Sequence, residues 1–223
     1  MPIPKIDVSA LYSGFDAPVV ALDCGQKCAP YNPSGKPFCC DICHAVPAVY
    51  EQEWEFLQPR TDLWHVWRGD ECGDRTALEV AETPPDEMIF LACLGPNQCQ
   101  RPFRSLSCRQ FPFFPYVTSD WAFLGLAYDW MFEDKCWVIS NLAEVTPEYR
   151  DAFVRSHDDL FERWPHELDS YEQRALEMRE HFAAQKRKIP LLHRDGLFYL
   201  IDPLTEQLSR VTVEQFPSFA PYK

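Results

Sequence analysis

Glycine is scarce. Eight of 223 residues are Gly, against twenty Pro, so proline sets the irregular connections and floppy linkers are not expected. The same scarcity leaves no glycine-rich loop after a strand of the kind that cradles a nucleotide or S-adenosylmethionine. Positive charge is also short. Lys and Arg number 21 against 34 Asp and Glu, a formal net charge of -13, and a surface of that sign repels a phosphate backbone, which excludes nucleic acid as a partner. No apolar run is long enough to cross a bilayer; the most apolar stretch, Trp121 to Phe132, is interrupted by Asp129. Met1 to Val8 lacks a basic segment followed by an apolar one, so no secretory signal is expected. A cytoplasmic, reducing location follows, with no membrane association. Neither a Ser/His/Asp arrangement nor a nucleophile elbow is present, and there is no internal repeat.

What the chain has in quantity is cysteine. Ten are present, and in a reducing compartment they are read as thiolate ligands before they are read as a disulfide framework. They fall into two blocks. The first is Cys24-x3-Cys28-x10-Cys39-Cys40-x2-Cys43; the second is Cys93-x5-Cys99-x8-Cys108, followed by Arg109-Gln110-Phe111-Pro112. Buried free thiols would account for any one of these alone, but not for two spaced blocks together. Thiolates in one pocket repel, and a shared soft cation relieves the repulsion, as zinc or as an iron–sulfur cluster. The bacterial ferredoxin run Cys-x2-Cys-x2-Cys is absent, so the spacing does not choose the metal. Cys39 and Cys40 are adjacent; on extended backbone they point opposite ways and serve two sites, or only one is a ligand. Cys72, alone in an acidic stretch, is read as a bystander.

Hydropathy patterning places these blocks on a fold. Val19 to Leu22 reads as a buried strand leading into Cys24, and Ala29 to Pro37 as a proline-rigid loop. Val49 to Gln58 has helical spacing, Leu63 to Trp67 reads as a strand, Arg68 to Pro85 as a polar loop, and Glu87 to Ala92 as a strand that delivers Cys93. Phe111 to Tyr116 carries two prolines that remove ladder donors, and is read as an aromatic flap over the metal site. Trp121 to Phe132 is a buried helix or strand pair. Thr146-Pro147-Glu148 starts a helix, a second helix runs from about His166 to Lys188, and Leu191 to Ile201 is a β-hairpin turning at Arg194-Asp195-Gly196. The expected fold class is α+β: an irregular cysteine-rich, metal-bound half with short strands over 1–140, and a helical pair with a C-terminal hairpin over 141–223, packed as one unit. His44 and His65 are read as a solvated loop histidine and a packed strand histidine. His157, with Asp158 and Asp159, is read as part of a solvated helix face.

The cysteine pattern resembles the YkgJ-type cysteine-cluster family, a zinc- or iron-chelating domain. Cys24, Cys28, Cys39 and Cys40 look like its first group. Cys93-Leu94 is similar to its fifth cysteine, Cys99 to its sixth, Cys108-Arg109-Gln110-Phe111-Pro112 to its seventh with the tail, and Cys136 to its last. Cys43 and Cys72 have no counterpart. The first group is stretched by the loop from Ala29 to Phe38, and the Ile-Tyr pair of the pattern is missing. The resemblance covers residues 24 to 136. It implies a metal site held by Cys24, Cys28, Cys39, Cys40, Cys93, Cys99, Cys108 and Cys136.

A cluster of thiolates is a buried negative charge, and Arg109, next to Cys108, is expected to face it as a cofactor-binding cation. The expected function is a metal-binding protein that holds an iron–sulfur cluster, 4Fe-4S first, or zinc. It would act in electron transfer, in metal handling or as a subunit, with a protein partner. Two alternatives follow from the same residues. The flagellin lysine N-methylase carries a similar cluster motif, which implies a methylase-like enzyme; a structural zinc module for protein–protein contact is the other.

Overall fold

The computed structural model describes residues 5, 7–69, 71–72, 84–85 and 87–222, so most of the expected polar loop from Arg68 to Pro85 lies outside the described residues. The chain divides into two compact units. One comprises Lys5–Asp16 and Asp23–Gln110; the other comprises Ala17–Leu22 and Phe111 onward. The first unit therefore ends at Gln110, where the division was expected at 140. Helices and antiparallel sheets are both present, as expected for α+β.

The first unit is built on a three-stranded sheet. Helix α1 (Val8–Gly14) opens it, with the Asp7 side chain accepting from the Ala10 N–H, an N-cap that satisfies a free helix donor. A single helical turn, α2 (Gly25–Cys28), follows. Strand β1 (Ala48–Tyr50) runs directly into α3 (Glu51–Leu57), and β2 (Trp64–Val66) comes next. Strand β3 (Met88–Cys93) is central and pairs antiparallel with both, with Val49 opposite Ile89 and Trp64 opposite Cys93. A short helix, α4 (Leu106–Gln110), ends the unit. The core gathers Val8, Tyr12, Val49, Leu57, Leu63, Trp64 and Leu91, and Cys93 and Cys108 pack on its margin. Glu53 is buried among these groups. It accepts from the Tyr12 hydroxyl at 2.6 Å and from the Leu106 N–H at 2.7 Å, and so joins α1, α3 and α4.

The second unit is a five-stranded antiparallel meander backed by two helices. Strands β4 (Phe113–Val117) and β5 (Phe123–Tyr128) pair first. Helices α5 (Pro147–Arg163) and α6 (His166–Ala184) intervene before β6 (Ile189–His193), β7 (Phe198–Ile201) and β8 (Leu208–Val211) complete the sheet in the order β4-β5-β6-β7-β8. The expected hairpin is β6–β7, and β8 extends it. The aromatic segment from Phe111 is not a flap but the sheet's edge strand. At an edge, Pro115 deprives no second neighbour of a donor, and every residue of β4 is buried. Phe113 packs at a tilt against Tyr149 of α5 with centroids 6.0 Å apart, which is why this stretch belongs with the helices. Helix α6 ends at Ala184, before the expected Lys188, because Lys186 takes a left-handed backbone with φ 55. Val19 to Leu22 is not a strand; Val20 makes one isolated bridge to Val145, and Leu22 is exposed. His157 is not solvated: it is fully buried, with its Nδ1 2.8 Å from the Phe153 carbonyl, and burial holds its pKa down to about 4.

Gly125 of β5 has φ +148, and a Cβ there would lie 2.4 Å from the Leu192 carbonyl oxygen and 2.9 Å from the His193 Cα. Only glycine lets β5 and β6 approach this closely. Gly125→Ala is expected to cost roughly 2–3 kcal/mol of unfolding free energy; a urea midpoint unchanged from the parent would refute this.

Candidate metal centre

Seven cysteines of the first unit are free thiols: Cys24, Cys28, Cys39, Cys40, Cys93, Cys99 and Cys108. Two stand on α2, Cys24 as its N-cap and Cys28 as its last residue. The proline loop folds back onto this turn, and at Gly25 an added Cβ would lie 2.8 Å from the Pro37 Cγ. Asp41 shapes the loop's interior. Its Oδ2 accepts from the Ser34 hydroxyl at 2.7 Å and from the Asn32 amide at 3.0 Å, while its Oδ1 accepts from the Cys43 N–H at 3.1 Å. Burial opposes the charge on Asp41, but these hydrogen bonds, Ser34's first, hold its carboxyl below the usual carboxylate range.

Between these anchors, Phe38–Cys40 forms a turn of 3-10 helix. This revises the expectation for the adjacent pair. Tight helical turning replaces the extended backbone, so the Cys39 and Cys40 sulfurs do not diverge but sit 3.9 Å apart. Cys93 comes from the end of β3, Cys99 follows a turn at Pro96–Gln98, and Cys108 lies in α4.

Cys40 is the thiol common to both blocks. Its charge acts on Cys24 and Cys28 from the first block and on Cys93 and Cys108 from the second. Cys40 itself is lowered to about 7, first by the hydrogen bond with Cys39 and then, against burial, by the positive charge of Arg104. Its neighbours move the other way. Burial pushes Cys24 up to about 11 and Cys108 up to about 12, and it raises Cys28 and Cys93 as well. Among the described residues, no group of three His, Cys, Asp or Glu side chains is gathered closely enough to hold a metal ion.

The cation at these sulfurs is Arg104, whose Nε donates to Cys99 Sγ at 3.2 Å. Arg109 is employed elsewhere. Its Nε donates to the Arg104 carbonyl; one terminal nitrogen serves the Tyr12 and Phe15 carbonyls and Asp16, and the other serves the Arg101 and Pro102 carbonyls. The guanidinium also lies over the Tyr12 ring, 4.3 Å from its centroid. Arg109 thus bonds the backbone that carries Arg104, and the charge expected of it at the thiols is delivered by Arg104.

The three remaining cysteines and two histidines complete the picture. Cys72 is no bystander: it forms a disulfide with Cys43. Cys40 and Cys43 stand in the Cys-x2-Cys spacing of a zinc knuckle, yet the Cys43 sulfur is committed to this bond. Cys136 lies in the buried core of the second unit. His65 pairs with Glu71 at 2.9 Å, and His44 packs its half-buried ring against Phe38. The position of Arg104 within the Cys99–Cys108 interval was the one sequence sign of its role; nothing in the spacing marks the Cys43–Cys72 pairing.

No family model, curated protein or solved structure matches this chain. Among the described residues no helix is long and apolar enough to cross a membrane.

The two arginines should separate cleanly. Arg109→Met strands several buried carbonyls and is expected to lower unfolding free energy by about 3 kcal/mol, read by denaturant titration. Arg104→Gln acts on the thiols. In metal-free protein, alkylation of Cys40 followed by mass spectrometry should rise with pH through a midpoint of about 7. Removing the cation disfavours the thiolate, so in Arg104→Gln the midpoint moves upward; a midpoint that stays or falls would refute the pairing.

Proposed function

We propose that the first unit is a thiolate metal module, holding zinc or an iron–sulfur cluster through cysteines of both blocks. The observation that carries this reading is that seven free thiols from both blocks fall in one compact unit, with the Cys39 and Cys40 sulfurs 3.9 Å apart and the Arg104 Nε 3.2 Å from Cys99 Sγ. The donors fit in kind. Thiolates suit soft metals, and seven exceed the four needed by one tetrahedral zinc or one four-iron cluster. Arg104 supplies positive charge beside Cys99, as a polythiolate site requires. The resemblance to the YkgJ-type family supports the same reading from the sequence. Bound zinc would supply a structural cross-link, and a cluster would supply one-electron redox chemistry. Cys136, which the resemblance adds as a last ligand, is in the second unit, and the reading does not depend on it.

The raised thiols define the pH behaviour. Cys24, Cys28, Cys93 and Cys108 must lose protons on binding, so uptake releases protons and weakens as pH falls. Anaerobically purified protein is expected to carry stoichiometric metal. A brown sample absorbing near 400 nm identifies the cluster, and a colourless one with zinc identifies the other occupant. Cys40→Ser and Cys108→Ser should each lose most of that metal by elemental analysis. A chain that takes up neither zinc nor a cluster under these conditions would end the proposal.

A further inference from the structure

Cys43 occupies two incompatible positions at once. By sequence it completes Cys40-x2-Cys43, the spacing that lets two thiolates on one turn grip a single metal. By structure its sulfur is bonded to Cys72, and a disulfide sulfur is not a thiolate ligand. The backbone around it turns tightly just after the 3-10 turn that ends at Cys40. Asp41 Oδ1 accepts from the Cys43 N–H, and the Asp41 carbonyl accepts from the N–H groups of His44 and Ala45. These hydrogen bonds close within residues 32–45, so they shape the loop independently of Cys72. On the far side, Glu71 ties Cys72 to β2 through His65 and through the Arg68 N–H. Both cysteines are half-buried, within reach of a small thiol.

We propose that Cys43–Cys72 is a redox switch on the metal site: the disulfide withholds Cys43, and reduction releases it as a ligand paired with Cys40. The reductant is a dithiol. Its two sulfurs break the Cys43–Cys72 bond, two electrons and two protons pass to the cysteines, and the reductant leaves as its own disulfide. Metal binding then displaces the Cys43 proton to solvent. Cys72 keeps its thiol and takes no part.

The proposal rests on the metal reading above, and the experiment separates the two. Zinc affinity is measured by competition with a chromogenic chelator, for the disulfide form and for Cys72→Ser and Cys43→Ser proteins. Both substitutions break the disulfide, but only Cys72→Ser leaves the Cys43 thiol. Cys72→Ser is expected to bind zinc at least about 10-fold more tightly than the disulfide form, the size of even an outer-shell effect, with no such gain in Cys43→Ser. Equal behaviour of the two variants, or equal affinity in all three proteins, overturns the switch and leaves the metal reading intact. Failure of every form to bind zinc or a cluster overturns both. Should a variant not fold, native protein is reduced, freed of reductant, loaded with zinc and alkylated. Cys43 protected while Cys72 is modified supports the proposal; Cys43 modified as readily as Cys72 overturns it.

Discussion

A buried guanidinium organises the first unit. Arg109 has five N–H groups, and all of them find oxygen: the carbonyls of Tyr12 and Phe15 at the end of α1, the carboxylate of Asp16, and the carbonyls of Arg101, Pro102 and Arg104. A charge taken out of water is costly unless every donor is met. The chain meets that demand by wrapping the segment between Cys99 and Cys108 around the side chain. This fixes the segment's path, and with it the place from which Arg104 reaches Cys99. Glu53 does the complementary work with acceptors, drawing Tyr12 and Leu106 together. The segments that carry the second block's thiols are thus positioned by these two buried ionic groups.

The thiol cluster then sorts its members. Burial alone would protonate every sulfur, since low polarity disfavours the thiolate. Cys40 escapes because a neighbouring thiol and a nearby arginine both favour its charged form. Its negative charge in turn reinforces the protonated state of Cys24, Cys28, Cys93 and Cys108. On the metal reading proposed above, uptake would exchange protons for the cation.

Local pattern made much of this architecture legible. Short apolar runs delivered β2 and β3, the Thr146-Pro147 signal delivered α5, and the Asp-Gly turn delivered β6–β7. The two cysteine blocks lie in one compact unit. What remained hidden depended on tertiary partners. Pro115 argued against a strand, but an edge position removes the objection. Cys39 and Cys40 were judged on extended backbone, whereas the Asp41 hydrogen bonds accompany a tight turn. The Cys43–Cys72 bond spans 29 residues, a pairing that one-dimensional spacing does not encode. Arg109 looked like the thiols' cation because it is their neighbour in sequence; the side chain with a free path to them belonged to Arg104.

The excursion of Ala17–Leu22 has a consequence for how the protein is made. This short segment leaves the first unit, joins the second, and the chain then returns. Its partners, Val145 and Thr146, lie more than a hundred residues later: Val20 bridges Val145, and the Thr146 N–H donates to the Val19 carbonyl. On a ribosome, therefore, every residue of the first unit has been synthesised while these six still lack their companions. No cut in the chain, wherever it is placed, yields both units whole as separate pieces. The two are compact in space but interleaved in time, and assembly of the second must wait for its own beginning to be recovered from within the first.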